Sequence, residues 1–499
     1  MKRFTTIAIL ALLLTSCSNA EFAPFAPEKG YYMSDDAVGM SEPGMDEPQS
    51  GDSFDEITEN DFIKVSEQPV STFSIDADGA SYAYTRRCLK QGYIPGKNAV
   101  RTEEFLNYFT FDYTEPTGDE TVAINAEIGD CPWNASHKLL RLGLKGKSLS
   151  DGEIPPANYI FLIDTSGSMR GDDRIELLKS GLCNMLDYMR PVDRVAIITY
   201  SGSVSMPLES TLVKNPAAIK RIIRKLEADG STAGGAAMKM AYDEASGHYM
   251  TGGNNRIIMC TDGDFNVGVS STEELVEMVE SYQEKGIYLS IMGFGQGNYQ
   301  DSRMENLSNH GNGTYTYIDC ENEMMKVFVH ERSHFYSVAN DTKCQLTFTD
   351  AVDSYRLIGY ENRVMNNEDF EDDKKDAGEI GAGQTVTAIY ELIPAQGFTK
   401  SAPAATFDVR YKKALGQESR PLSLKVTVPK AEYVSSPEFS FAAGITAFCL
   451  TLRDSQYKGN ASYGMASELV AKGSANVSDP LKLRAELAEL IRAAAKAQQ

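Results

Sequence analysis

Two stretches of this chain carry residue types that could do chemistry. The first is Asn158 to Met169, NYIFLIDTSGSM, where an apolar run, Tyr159 to Ile163, ends abruptly in Asp164, Ser166 and Ser168. One carboxylate and two hydroxyls on a tight loop suit a hard, oxygen-preferring cation such as Mg²⁺. A competing reading is a turn that caps the next helix, because Asp, Ser and Gly are ordinary turn residues. Two later pieces extend the donor set. Asp229 to Gly235, DGSTAGG, offers the hydroxyl of Thr232, and Cys260 to Asp264, CTDGD, offers the carboxylate of Asp262. The second candidate is His330-Glu331-Arg332-Ser333-His334, which matches HExxH. On one helix face its two imidazoles could hold zinc, with Glu331 as general base of a peptidase. No third ligand follows at a familiar spacing.

The elements around the first stretch make a coherent scaffold. A short apolar run bounded by turn signals reads as a strand buried on both faces. Arg194 to Tyr200, Arg256 to Thr261, Ile287 to Gly293 and Thr314 to Ile318 are further strands, and Val204 to Leu208 is a hairpin partner. Between them lie helical stripes, among them Ile175, Leu178, Leu182, Met185, Leu186 and Met189. Alternating strands and helices predict an α/β fold, a doubly wound and mostly parallel sheet, over residues 157–337. Such sheets bind ligands beyond the carboxyl ends of their strands, where Asp164 and Asp262 fall.

Either side of this unit the apolar period is two. Thr121 to Ile128 and Lys138 to Leu144 are predicted antiparallel strands with one wet face, and Cys344 to Phe348, Val386 to Leu392, Thr406 to Tyr411 and Leu422 to Val428 are further predicted antiparallel strands. We expect them to form one β-sandwich that carries the α/β unit as an insertion, flanked by residues 70–156 and 338–435. Residues 436–499 read as C-terminal helices, the last with Asp479 as N-cap and Pro480 at its first position. Cys131-Pro132-Trp133-Asn134, with the single Trp, reads as a turn around a packed aromatic. The Asp369 to Glu379 stretch has acidic residues enough for Ca²⁺, but Lys374 and Lys375 and the lack of EF-hand spacing favour a solvated loop.

A chain of 499 residues needs more than one core. Its 70 acidic against 48 basic side chains give a net charge of −22, which argues against nucleic acid and against anionic lipid as electrostatic partners. Lys2 and Arg3 precede a short apolar stretch, Ile7 to Leu14, the pattern of a secretory signal peptide over residues 1–16. Leu14-Thr15-Ser16-Cys17 resembles the bacterial lipobox, which implies lipidation of Cys17, and Ser18 after it favours the outer membrane over the inner. Residues 17–69 then read as a disordered acidic tether; Asn19 to Asp61 holds twelve acidic residues against one base, Lys29. Of eight cysteines, seven remain after Cys17, so at least one thiol is unpaired.

The ordered set DTSGS, Thr232 and TDGD resembles the von Willebrand factor type A domain. The match implies a metal-ion-dependent adhesion site: Asp164, Ser166, Ser168, Thr232 and Asp262 around Mg²⁺, or in some members Mn²⁺. Further stretches (STFSIDADGASYA, CPWN, PPAN, GGNNRIIMCTDGDFNVGVSS, GFGQGNYQDS, RLIGYENR and DDKKDAGEIGAG) resemble a bacterial family of lipoproteins that carry this domain between their own N- and C-terminal regions. The resemblance implies a non-enzymatic envelope protein that binds a partner protein through an Asp or Glu completing the metal shell. A zinc peptidase or a structural scaffold are the alternatives.

Overall fold

The strand Ala157–Asp164 is buried along its whole length. The computed structural model, which describes residues 52–150, 152–230, 235–263, 272–296, 301–430 and 433–498, sets it at the centre of a six-stranded sheet. Asn254–Thr261, Ile287–Phe294 and Tyr315–Ile318 follow in parallel on one side. Arg194–Tyr200 lies parallel on the other, with Val204–Leu212 as an antiparallel edge. The strand order therefore reverses at Ala157–Asp164, the position where a doubly wound sheet opens a crevice at its carboxyl edge. Helices cover both faces. Ile175–Met185 packs with Phe161 and Ile163 on one, and Gly235–Gly247 with Ile160 and Leu162 on the other.

The flanking strands form the expected sandwich. One sheet runs Ile63–Lys64, Val352–Ile358, Thr385–Pro394, Lys138–Gly146, Val122–Asp130. The other runs Val364–Met365, Val70–Ser74, Ser337–Phe348, Pro403–Lys412, Arg420–Thr427. Leu142, Leu144, Val386 and Tyr390 of the first sheet share one core with Phe73, Leu346, Phe407 and Val409 of the second. Strands from before and after the α/β unit thus lie in both layers. Entry and exit of the insertion meet at one residue. The backbone N–H of Asn254 donates to the Pro156 carbonyl at 2.9 Å, and its side-chain amide donates to the Phe335 carbonyl at 2.8 Å.

Three expectations need correction. Lys138–Gly146 has no wet face, because its outer side chains pack under the N- and C-terminal helices. The covering helix Pro437–Leu452 is mostly apolar and buried on nearly every side, with its Glu438 paired to Arg484. Residues 52–69 are not free tether. Phe54 meets Tyr84 edge to face at 4.9 Å, the Asn60 amide donates to the carbonyls of Leu357 and Gly359, and Ile63–Lys64 adds a strand. A few apolar anchors suffice to hold an acidic segment on the body. The last helix, Leu483–Ala497, begins later than predicted, because Lys482 adopts a left-handed conformation just before it, but Asp479 Oδ2 still caps its first turn by accepting the Ala485 N–H at 3.1 Å. Residues 1–51, including Cys17, lie outside the described residues.

The N-terminal helix Ala80–Lys90 wedges between the α/β unit and the C-terminal helices. Ala83, Tyr84 and Cys88 join the core of the inserted sheet, while Tyr82 and Leu89 join that of the C-terminal bundle. Trp133 is buried in the same bundle, as a packed aromatic should be.

Candidate metal centre

Asp164 closes the central strand, and its side chain is wholly buried. Parallel pairing of Ile163 with Cys260 brings Asp164 beside Thr261 and the following Asp262. The Ser166 backbone N–H donates to Asp164 Oδ1 at 2.8 Å, and the Thr261 hydroxyl donates to Oδ2 at 3.3 Å. The turn then points two hydroxyls the same way: Ser166 Oγ and Ser168 Oγ stand 2.9 Å apart. Ser168 is exposed, so the cluster opens to solvent. Asp262 is buried, and the Gly263 N–H donates to Thr261 Oγ1 at 3.1 Å, which folds the chain back after the strand.

The loop that leads to Thr232 docks on this turn. The Asp229 N–H donates to the Thr165 carbonyl at 2.8 Å, and the Gly167 N–H donates to the Gly230 carbonyl at 3.1 Å. Gly230 takes φ +104°, a left-handed conformation that glycine adopts without strain. Thr232 itself lies outside the described residues. The structure therefore brings Asp164, Ser166, Ser168 and Asp262 together and fixes the loop two residues before Thr232.

The electrostatics fit a cation. Burial pushes the Asp164 carboxyl up to about 6, and the negative charge of Asp262 pushes the same way, against hydrogen bonds from Ser166 and Thr261. Two carboxylates held together out of water repel each other, and a bound divalent ion neutralises both. Oxygen donors of this kind suit Mg²⁺ or Mn²⁺ rather than a thiophilic metal.

The other candidates resolve differently. HExxH does not lie on one helix. Glu321–Met325 passes into a single π-turn, Lys326–His330, the backbone breaks at Glu331 (φ −110°, ψ 18°), and Arg332–Phe335 is 3₁₀. Glu331 pairs with Lys326 at 2.7 Å, and burial holds the His334 imidazole below its ordinary value. Among the described residues His330 and His334 join no group of three converging metal-ligating side chains. In the acidic stretch Arg410 pairs with Asp373 at 3.2 Å and Ser419 Oγ donates to it, while Asp376 and Glu379 converge with Asp341 of strand Ser337–Phe348, which Lys412 pairs at 2.6 Å. The seven cysteines from Cys88 to Cys449 are free thiols. A residue that the sequence did not single out, Arg174, reaches the site: its Nε stands 4.0 Å from Asp262 Oδ2. No local pattern marks it, since an Arg at a helix start is commonplace.

Models of known families match three stretches of the chain. The model of the von Willebrand factor type A domain matches residues 159–264, a model described as von Willebrand factor matches residues 48–141, and that of the YfbK C-terminal region matches residues 333–404 and 395–497. YfbK of Escherichia coli is 36% identical over 473 residues, which cover 88% of this chain and 80% of YfbK. Human inter-alpha-trypsin inhibitor heavy chain H3 is 31% identical over 183 residues; the match covers 34% of this chain and 20% of that one. The solved structure of a von Willebrand factor type A protein from Catenulispora acidiphila aligns with 70% of this chain and 86% of its own, at 14% identity and a TM-score of 0.40. Von Willebrand factor type A domains serve protein–protein interaction and adhesion.

Proposed function

The chain belongs to the family of Escherichia coli YfbK, built around a von Willebrand factor type A domain, and on that premise we propose that it is a lipid-anchored envelope protein that binds an acidic partner protein through a divalent cation. The observation that carries this reading is the convergence of Asp164, Ser166, Ser168 and Asp262 on one solvent-open edge, with the Asp164 carboxyl pushed by burial up to about 6. Asp164 and Asp262 would hold Mg²⁺ or Mn²⁺ with Ser166, Ser168 and Thr232. The hydroxyls are neutral, so only the two carboxylates offset the ion's charge. When bound, the ion supplies an electrophilic position that an outside Asp or Glu can fill. On a chain of net charge −22 it also gives an acidic partner a local positive target.

A crosslinking pull-down from envelope extract with the full chain tests the reading. A partner recovered with Mg²⁺ and lost with chelator is the expected result. The same partner recovered under both conditions would reduce the protein to a scaffold whose metal, if any, only stiffens loops.

Anchoring rests on Cys17 at the lipobox-like Leu14–Cys17. The wild-type chain is expected in the outer-membrane fraction and Cys17→Ser in the soluble one. An unchanged distribution would remove the anchor from the proposal. No helix among the described residues is long and apolar enough to cross a membrane.

A further inference from the structure

Arg174 sits at the N-cap of helix Ile175–Met185, and its guanidinium is built into the metal site from several sides. Its Nε lies 4.0 Å from Asp262 Oδ2. Its terminal nitrogen donates to the Gln296 carbonyl at 2.6 Å, which fixes the plane of the group. Its other terminal nitrogen is 3.5 Å from Asp173 Oδ1, and Asp173 in turn binds Arg87 on helix Ala80–Lys90. The backbone makes room for it. Gly295 has φ +74°, and a Cβ there would fall 2.1 Å from Arg174 Nε. A chance surface arginine would not need a glycine opposite its guanidinium, a carbonyl to orient it and a carboxylate relay behind it.

We propose that Arg174 is an internal cation that competes with the divalent ion for Asp262, and so sets the Mg²⁺ concentration at which the site loads. The proposal rests on the metal reading above and adds a threshold to it. With the guanidinium in place, Asp262 already has a counter-charge. An incoming divalent ion must then share that carboxylate with a neighbouring positive charge, or displace it. At low Mg²⁺ Asp262 keeps its internal counter-charge and the edge presents no electrophile to an acidic partner. At high Mg²⁺ the ion replaces the guanidinium.

Calorimetric titration of Mg²⁺ into the full chain tests this. Removing the charge by Arg174→Gln should tighten binding roughly tenfold, since a like charge a few ångströms from the ion opposes it. Gly295→Ala, which drives the guanidinium away without changing any charge, should tighten it in the same direction. Arg174→Lys keeps the charge and should stay closer to wild type than Arg174→Gln does. Thermal melts identify any variant that fails to fold, and the Gly295 and Arg174 substitutions reach the same conclusion by separate routes. Wild-type affinity retained or weakened in both Arg174→Gln and Gly295→Ala overturns the proposal while the metal site stands. Absence of Mg²⁺ binding in wild type and both variants overturns the metal reading itself, and Arg174 with it.

Discussion

Asp164→Ala is expected to abolish Mg²⁺ binding that calorimetry detects on the wild-type chain, and lowering the pH from 7.5 to 5 is expected to weaken wild-type binding about tenfold. The substitution removes one of the two carboxylates that can answer the ion's charge. Equal binding by wild type and variant would refute the site. The pH effect follows from the proton that Asp164 holds. Its metal-free value of about 6 lies above the ordinary 3.8, and the ion binds the deprotonated form. Above about pH 6 the carboxylate is free and affinity is level; below it, each pH unit lost costs about a factor of ten. The same shift has a consequence for the metal-free fold. A carboxyl that binds its proton more tightly folded than unfolded favours the folded state at low pH, and that contribution is lost as pH rises from about 4 to about 6. Mg²⁺ should therefore raise the melting temperature at pH 7.5 more than at pH 5. An affinity independent of pH across this window would show that Asp164 does not gate the site.

Arg86→Met is expected to lower stability by about 3–5 kcal/mol, read as a fall in the midpoint of urea unfolding. Arg86 is 2% exposed and joins three parts of the molecule. Its Nε donates to Asp319 at 2.9 Å and its terminal nitrogens to Glu323 at 2.6 Å, Glu486 at 3.0 Å and the Tyr108 hydroxyl at 2.7 Å. Asp319 and Glu323 belong to the end of the inserted domain, and Glu486 to the last helix. Methionine fills similar volume but leaves the carboxylates of Asp319 and Glu323 buried without their counter-charge. That loss is large, whereas a whole buried ion cluster replaced by apolar groups can be nearly neutral. Accordingly Asp319→Asn with Glu323→Gln, added to Arg86→Met, should recover part of the loss. A triple variant less stable than Arg86→Met alone would mean that the carboxylates have other roles.

The alternating strands and helices of the insertion were legible because each carries its own period: Tyr159 to Ile163 is apolar without interruption, and strand Ala157–Asp164 is buried throughout. Asp164, Ser166, Ser168 and Asp262 could be named because a doubly wound fold places strand ends side by side and the ordered pieces DTSGS and TDGD resemble the von Willebrand factor type A motif; each piece alone is an ordinary turn. Tertiary features left no such trace. Arg86 reads in sequence as one more charge on an exposed helix, and only the docking of three elements buries it. Residues 52–69 share the acidic composition of the stretch before them, so an average over the whole segment hides Phe54, Ile63 and Val65. HExxH needs a regular α-helix to converge, and the π-turn over Lys326–His330 with the break at Glu331 removes that regularity.

The single residue Asn254, which bonds both Pro156 and Phe335, makes the inserted domain a cassette. Its two ends leave the sandwich within one side chain's reach, so a linker of a few residues could replace the whole insert at small loop-closure cost. Read the other way, the sandwich and its helices are a socket into which evolution or an engineer can graft a different recognition module without redrawing either sheet.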